Sequence, residues 1–198
     1  MKKLHLVGLS ILIVFLAVQS AHSTARSWDL DKAHSNVYFS IEHIFSKVRG
    51  HFDDFKLEVN FDPQNLQESR FDFEIIVDSI DTNIAKRDKH LLSSDFFDAR
   101  KYPLISFASE KITDAGNGVY EVAGKLTIKD QIYDLTLPLS LTGVKDHPSQ
   151  KGKEVAGFNG EITLDRLAYK VGNGKFFDGG IIGKDVDVLV TLEVLSDK

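Results

Sequence analysis

Apolar and polar residues alternate along most of this chain, and the alternation has the period of two that marks a strand with one buried face. From Asn36 to Ile44, Val37, Phe39 and Ile41 oppose Tyr38, Ser40 and Glu42. From Phe55 to Phe61, Phe55, Leu57, Val59 and Phe61 oppose Lys56, Glu58 and Asn60. Phe71, Phe73, Ile75 and Val77 repeat the theme, and further windows follow at Leu104–Lys111, Tyr120–Ile128, Tyr133–Leu141, Ala156–Leu164 and Val186–Val194. These predict about eight antiparallel strands, with a short additional one near Trp28. Such strands stack as a sandwich or close into a barrel, and periodicity does not separate the two. Tight links such as Lys129-Asp130-Gln131 favour an up-and-down barrel.

One stretch breaks the pattern. Between Ser79 and Phe107 the sequence predicts a strand end, a helix from Asn83 to Leu92 and a compact loop before the strand at Leu104. Asn83 is a candidate N-cap, and Pro103 drives Tyr102 towards extended backbone, which stops the helix short of it. Ile84, Leu91 and Leu92 share one face while Lys86, Arg87, Asp88, Lys89 and His90 crowd the rest. The expectation is a lid or plug at about residues 83–98 with one apolar edge.

The amino terminus changes the setting. Lys2 and Lys3, the apolar run Leu6 to Val18 and Ala21-His22-Ser23 predict a Sec-type signal peptide over residues 1–23, cleaved after Ser23 or Ala25, and hence a periplasmic protein. One domain is expected over residues 24–198. Losing residues 1–23 removes two lysines and no acid, moving the formal charge from −5 to −7. An acidic chain of this kind lacks the concentrated positive footprint that nucleic acid requires. With no Cys in the sequence, the fold must be held by its core alone.

Candidate chemistry is sparse. Arg87 offers a planar donor fork and His90 a donor of adjustable charge, a pair that suits a diphosphate or a quinone carbonyl at a cavity mouth; a solvated helix face is the competing reading. His43 falls on the face of Val37, Phe39 and Ile41. The histidines at 34, 43, 51 and 90 have no metal-ligand spacing, so no metal and no cofactor is expected. Asp95 and Asp98 flank Phe96-Phe97 and read as turn or cap residues rather than paired catalytic acids. No nucleophile elbow, Cys nucleophile, P-loop or dinucleotide fingerprint occurs. The polar loop Lys145–Glu154 reads as exposed, and the Gly-Asn-Gly triplets at Gly116 and Gly172 read as turns.

The motifs Ser79-Ile-Asp-Thr-Asn83, Arg87-Asp-Lys-His-Leu-x-Ser-x-Asp-Phe-Phe97 and Lys101-Tyr-Pro-x-Ile-x-Phe107 together resemble the YceI-like family of periplasmic lipid-binding proteins. His34-Ser35, the strand ending at His43, Gly50-x-Phe52 with Phe55, Gly124-x-Leu-Thr-Ile128 and the closing strand Asp185–Val194 extend the resemblance over the mature chain; Gly172–Gly183 lies outside it. The resemblance implies an all-β fold, an eight-stranded antiparallel lipocalin-like β-barrel with an elongated cavity. Alternation alone is met equally by inward side chains that fill each other's gaps. The resemblance moves the expectation to a non-catalytic binder of an isoprenoid lipid, a polyprenyl phosphate or an isoprenoid quinone. Val37, Phe39, Ile41, Leu57, Val59, Phe73 and Ile75 would then line the tail, and Arg87, His90 and His43 would meet the head group. Ten buried carbons supply at most roughly 8 kcal/mol before the costs of association. The partners expected are that lipid and no nucleic acid, with transient contact to a membrane or membrane protein and a homodimer both compatible. The rival classes are an interaction module whose barrel is self-filled, and an enzyme on an apolar metabolite.

Overall fold

A computed structural model describes residues 24–198; the predicted signal peptide lies outside the described residues. The alternating segments form eleven strand segments in one sheet. They are β1 (Ser27–Leu30), β2 (Asn36–His43), β3 (Ser46–Phe52), β4 (Phe55–Asn60), β5 (Arg70–Ile76) and β6 (Ile80–Asp81), then β7 (Leu104–Gly116), β8 (Val119–Ile128), β9 (Gln131–Asp146), β10 (Lys153–Asp165) and β11 (Ile182–Asp197). Helices α1 (Ala85–Leu91) and α2 (Lys175–Asp178) interrupt them.

The sheet is a closed eight-stranded antiparallel barrel, because six of the segments are halves of three interrupted strands. A single 3-10 turn at Lys32–His34, capped by the Asp31 carboxylate, separates β1 from β2. Asp53-Asp54 separates β3 from β4, and a 3-10 turn at Val77–Ser79 separates β5 from β6. The long last strand closes the ring twice: Val194 and Leu195 pair with Leu30 and Asp29, while Val186–Thr191 pair with Ile41–Asn36. The ring is thus complete within residues 27–197, and its core needs no segment outside the described residues. At the seam, Arg26 stacks 4.6 Å over Trp28, pairs with Glu154, and donates from Nη2 to the Asp197 carbonyl.

The interior divides into two halves of different character. At the end bearing the β7–β8 turn, Phe61 meets Tyr120 and Phe158, and Phe71 meets Phe158, edge to ring at centroid distances of 4.9 to 5.2 Å, with Phe61 tilted against Phe71 at 5.7 Å. Phe71, Phe158, Leu139 and Val122 are fully buried there. This is close-packed solid. At the other end, where α1 and α2 lie, the inward side chains stand around open space.

Three local expectations are corrected. The strand β3 was not predicted; Gly50 and His51 break its alternation, and the glycine is required because a Cβ there would meet the Phe39 ring at 2.5 Å and the Asp81 carbonyl oxygen at 2.7 Å. Asn83 does not cap the helix: it sits at φ 64 before Ile84, and α1 is tied down instead by Asp88, whose carboxylate accepts from the Thr82 N–H at 3.0 Å and from the Thr82 hydroxyl. The loop expected over residues 145–154 is shorter, since Lys145 and Asp146 pair with Val155 and Glu154 in the β9–β10 ladder.

Candidate functional site

The open half of the barrel holds a cavity of about 740 Å³, within the range of small-molecule sites. Strand alternation builds its wall: the inward positions of β2, β5, β7, β8, β9, β10 and β11 carry Phe, Ile, Leu and Val. Polar side chains sit near its mouth, on α1 and on the loop after β10. Water in such a space finds few partners, so the chemistry the site offers is apolar enclosure with donors at one end.

Of the expected lining residues, Val37, Phe39, Ile41, Phe73 and Ile75 border the cavity. Leu57 and Val59 do not. Val59 is buried in the solid half, and Leu57 packs against that core from a partly exposed position. Val59, opposite Phe71, points inward at a depth where the interior is already filled, whereas Leu57 lies level with the cavity-lining Phe73 and is partly exposed at the barrel wall. All three expected head-group residues, Arg87, His90 and His43, border the mouth.

The lid is two-part. Helix α1 and the following loop bring His90 edge-on to Phe96 at 5.0 Å, and Phe96 stacks on Phe176 of α2 at 6.0 Å. His90 Nε2 lies 3.1 Å from Asp95 Oδ2, which gives Asp95 a positioning contact in the lid. Arg87 donates from Nε to Thr82 Oγ1 at 2.7 Å and from Nη2 to the Thr82 carbonyl at 2.6 Å. That hold fixes the guanidinium at the cavity edge while Nη1 bonds no described residue.

A fourth donor was missed by the sequence reading. Arg166, in the turn after β10, is 5% exposed and borders the cavity. Its Nε donates to the Gly183 carbonyl at 2.8 Å and its Nη1 to the Val171 carbonyl at 2.7 Å. No carboxylate of a described residue lies within ion-pair distance of it. Burial presses its pKa below the usual arginine value, with the charge of Asp165 opposing. Asp165 itself turns away: burial raises its carboxyl, but the Lys184 ammonium and the Leu167 amide outweigh this and hold it below the ordinary value. Gly172, at φ +88, completes the arrangement, since a Cβ there would stand 2.4 Å from Arg166 Nη1. In the sequence Asp165-Arg166-Leu167 looks like a charged surface turn, and nothing in its spacing marks the burial.

Two groups of His and carboxylates converge elsewhere, Asp31 with His34 and Glu193, and His51 with Asp53 and Asp81. Both are surface ion-pair clusters at the strand interruptions. His34 Nδ1 lies 2.8 Å from Asp31 Oδ2, and that bond raises the His34 pKa and lowers that of Asp31.

The model of the YceI-like domain matches residues 28–194. A UPF0312 protein of Vibrio parahaemolyticus is 33% identical over 172 residues, covering 86% of this chain and 88% of its own. This chain belongs to the YceI-like family. Among solved structures, BcnA of Burkholderia cenocepacia superposes with a TM-score of 0.74 at 29% identity, over 83% of this chain and 99% of that one. A polyisoprenoid binding domain from Saccharophagus degradans, implicated in plant cell wall breakdown, matches with a TM-score of 0.60 over 88% of this chain and 99% of its own. At 13% identity that likeness is one of fold.

Proposed function

We propose that this YceI-like protein binds an isoprenoid lipid in its barrel and carries or sequesters it in the periplasm without changing it covalently. The observation that carries the reading is the cavity itself: about 740 Å³ of space in a barrel whose other half is solid, with apolar walls and donors gathered at the open end. A self-filled barrel, the rival expectation, would have continued the aromatic packing through both halves. The name of the Saccharophagus degradans relative supports the ligand class, and the amino-terminal sequence supports export.

The tail enters first and lies against Val37, Phe39, Ile41, Phe73, Ile75 and their neighbours on β8 to β11. The head group meets Arg87, His90, His43 and Arg166. A phosphate fits this set better than a quinone carbonyl, because Arg166 brings a buried positive charge with no carboxylate of a described residue within ion-pair distance, and charge-assisted bonds to an anion return what burial takes away. Catalysis has no comparable support. Asp88 on α1 and Asp95 in the loop after it are engaged with Thr82 and His90.

Solvent extraction of the protein purified from its native envelope, followed by mass spectrometry, tests the proposal. A polyprenyl chain recovered in near-stoichiometric amount supports it. Repeated recovery of no lipid, together with failure to load a detergent-solubilised polyprenyl phosphate, overturns it.

A further inference from the structure

The open end of the barrel is apolar outside as well as in. The β2–β3 hairpin turns on Ile44 and Phe45, with His43 paired to Ser46 directly beneath them. Phe45 is fully exposed and Ile44 is 56% exposed. Ile44 also adopts φ 54, a left-handed conformation that crowds a β-branched side chain and that turns normally assign to Gly or Asn. The β7–β8 turn at the opposite end uses Gly116, Asn117 and Gly118 at its own positive φ values. A strained turn that holds two large apolar residues in water is a poor device for joining strands. It is a good device for presenting them.

The tip is fixed to the rest of the rim. The Ile44 N–H donates to the Ile181 carbonyl at 3.0 Å, so the hairpin is moored to the segment after α2. Ile181, Phe177 and Ile84 are exposed around the same opening, and Ile84 and Ile181 also border the cavity. Five of the ten large exposed apolar side chains among the described residues, Ile44, Phe45, Ile84, Phe177 and Ile181, thus belong to the hairpin tip and the two lid segments. Lys86, Lys89 and Lys175 flank the patch, exposed and in no ion pair with a described residue. The chain as a whole carries −5. An apolar patch bordered by free lysines, on an otherwise acidic protein, has the composition of a surface that enters the boundary of an anionic bilayer.

We infer that the barrel docks mouth-down on an anionic membrane, with Ile44 and Phe45 inserted among the lipids and Lys86, Lys89 and Lys175 at head-group level. The inference rests on the lipid-binding reading and supplies its entry route: with the rim in the bilayer, a tail passes from membrane to cavity without crossing water.

The test uses residues 24–198, which hold the whole ring, because the run Leu6–Val18 would bind lipid by itself. Binding is measured by sedimentation with vesicles of phosphatidylcholine, with and without phosphatidylglycerol. The expected results are binding to the anionic vesicles, weakening with salt, and a loss of about tenfold or more for Phe45→Ser, the scale of withdrawing one buried aromatic. Phe45→Trp is expected to blue-shift on the vesicles, against the constant background of the buried Trp28. Wild-type affinity in Phe45→Ser overturns the inference. So does failure of the wild type to bind anionic vesicles, which would leave the rim to a protein partner. Loading from detergent separates this from the function itself: Phe45→Ser is expected to load as the wild type does from detergent and more slowly from vesicles. Equal vesicle loading sinks the docking inference alone, whereas loss of detergent loading in the wild type sinks the cavity reading.

Discussion

Phe158→Ala and Phe39→Ala remove the same group from the two halves of one barrel, and the halves should answer differently. Phe158 is fully buried, with the rings of Phe61 and Phe71 edge-on at 5.2 and 5.1 Å. Truncation there leaves a sealed void, for which Phe→Ala costs about 3–5 kcal/mol. At roughly 2–4 °C per kcal/mol for a domain of this size, Tm should fall by roughly 6–20 °C, and the two lost aromatic pairs place it in the upper part of that range. Phe39 has Phe52 at 5.6 Å on one side and the cavity on the other, so its removal widens a space that already exists. Its loss should stay below about 3 kcal/mol. Both variants are melted by circular dichroism after delipidation, because bound lipid stabilises by mass action and would mask the comparison. Extracted lipid is then quantified from separate, undelipidated preparations: Phe39→Ala should retain less and Phe158→Ala about as much as the wild type. A Phe39→Ala drop in Tm as large as that of Phe158→Ala would refute the division of the interior into solid and open halves.

Arg166→Met keeps the length and removes the charge. It should lower Tm, because the Gly183 and Val171 carbonyls lose their donor, at about 1–3 kcal/mol each, and it should shift any recovered lipid towards species with uncharged heads. Gly172→Ala is expected to reproduce much of that phenotype without touching Arg166, through the clash at Nη1 and the left-handed backbone; a neutral result in lipid retention would show that the guanidinium tolerates displacement. For His34, the folded pKa lies above the ordinary 6.5 because of Asp31, so the pair's contribution is whole below about 6.5 and fades as pH rises through the raised value. An NMR titration should place the His34 midpoint above 6.5, and His34→Gln should flatten that part of the stability–pH curve.

The strands were legible because period-two alternation is set by the pleat, which every residue reports independently of its partners. Depth along the barrel axis was not. Val59 and Phe73 carry the same signal, yet one belongs to the solid half and the other borders the cavity, since that difference depends on how many rings from other strands converge at each level. The head-group candidates Arg87 and His90 stood out because a charged helix interrupting a strand pattern is conspicuous. Arg166 did not, because its burial comes from the fold-back of residues 171 and 182–183 over it, contacts with no trace in the local sequence. The strand β3 was hidden by Gly50, whose presence is explained only by Phe39 and Asp81 on neighbouring strands.

The aromatic packing of Phe61, Phe71, Tyr120 and Phe158 has a kinetic meaning as well as a structural one. It makes the cavity a blind alley. A lipid that enters tail-first has no second exit, so it leaves by the mouth in reverse order, head before tail, and unloading retraces loading step for step. A carrier of the kind proposed would then impose no direction on transport. Which way lipid flowed would be decided by where it is abundant and where it is consumed, and residence time by how readily the contacts of His90, Phe96 and Phe176 part.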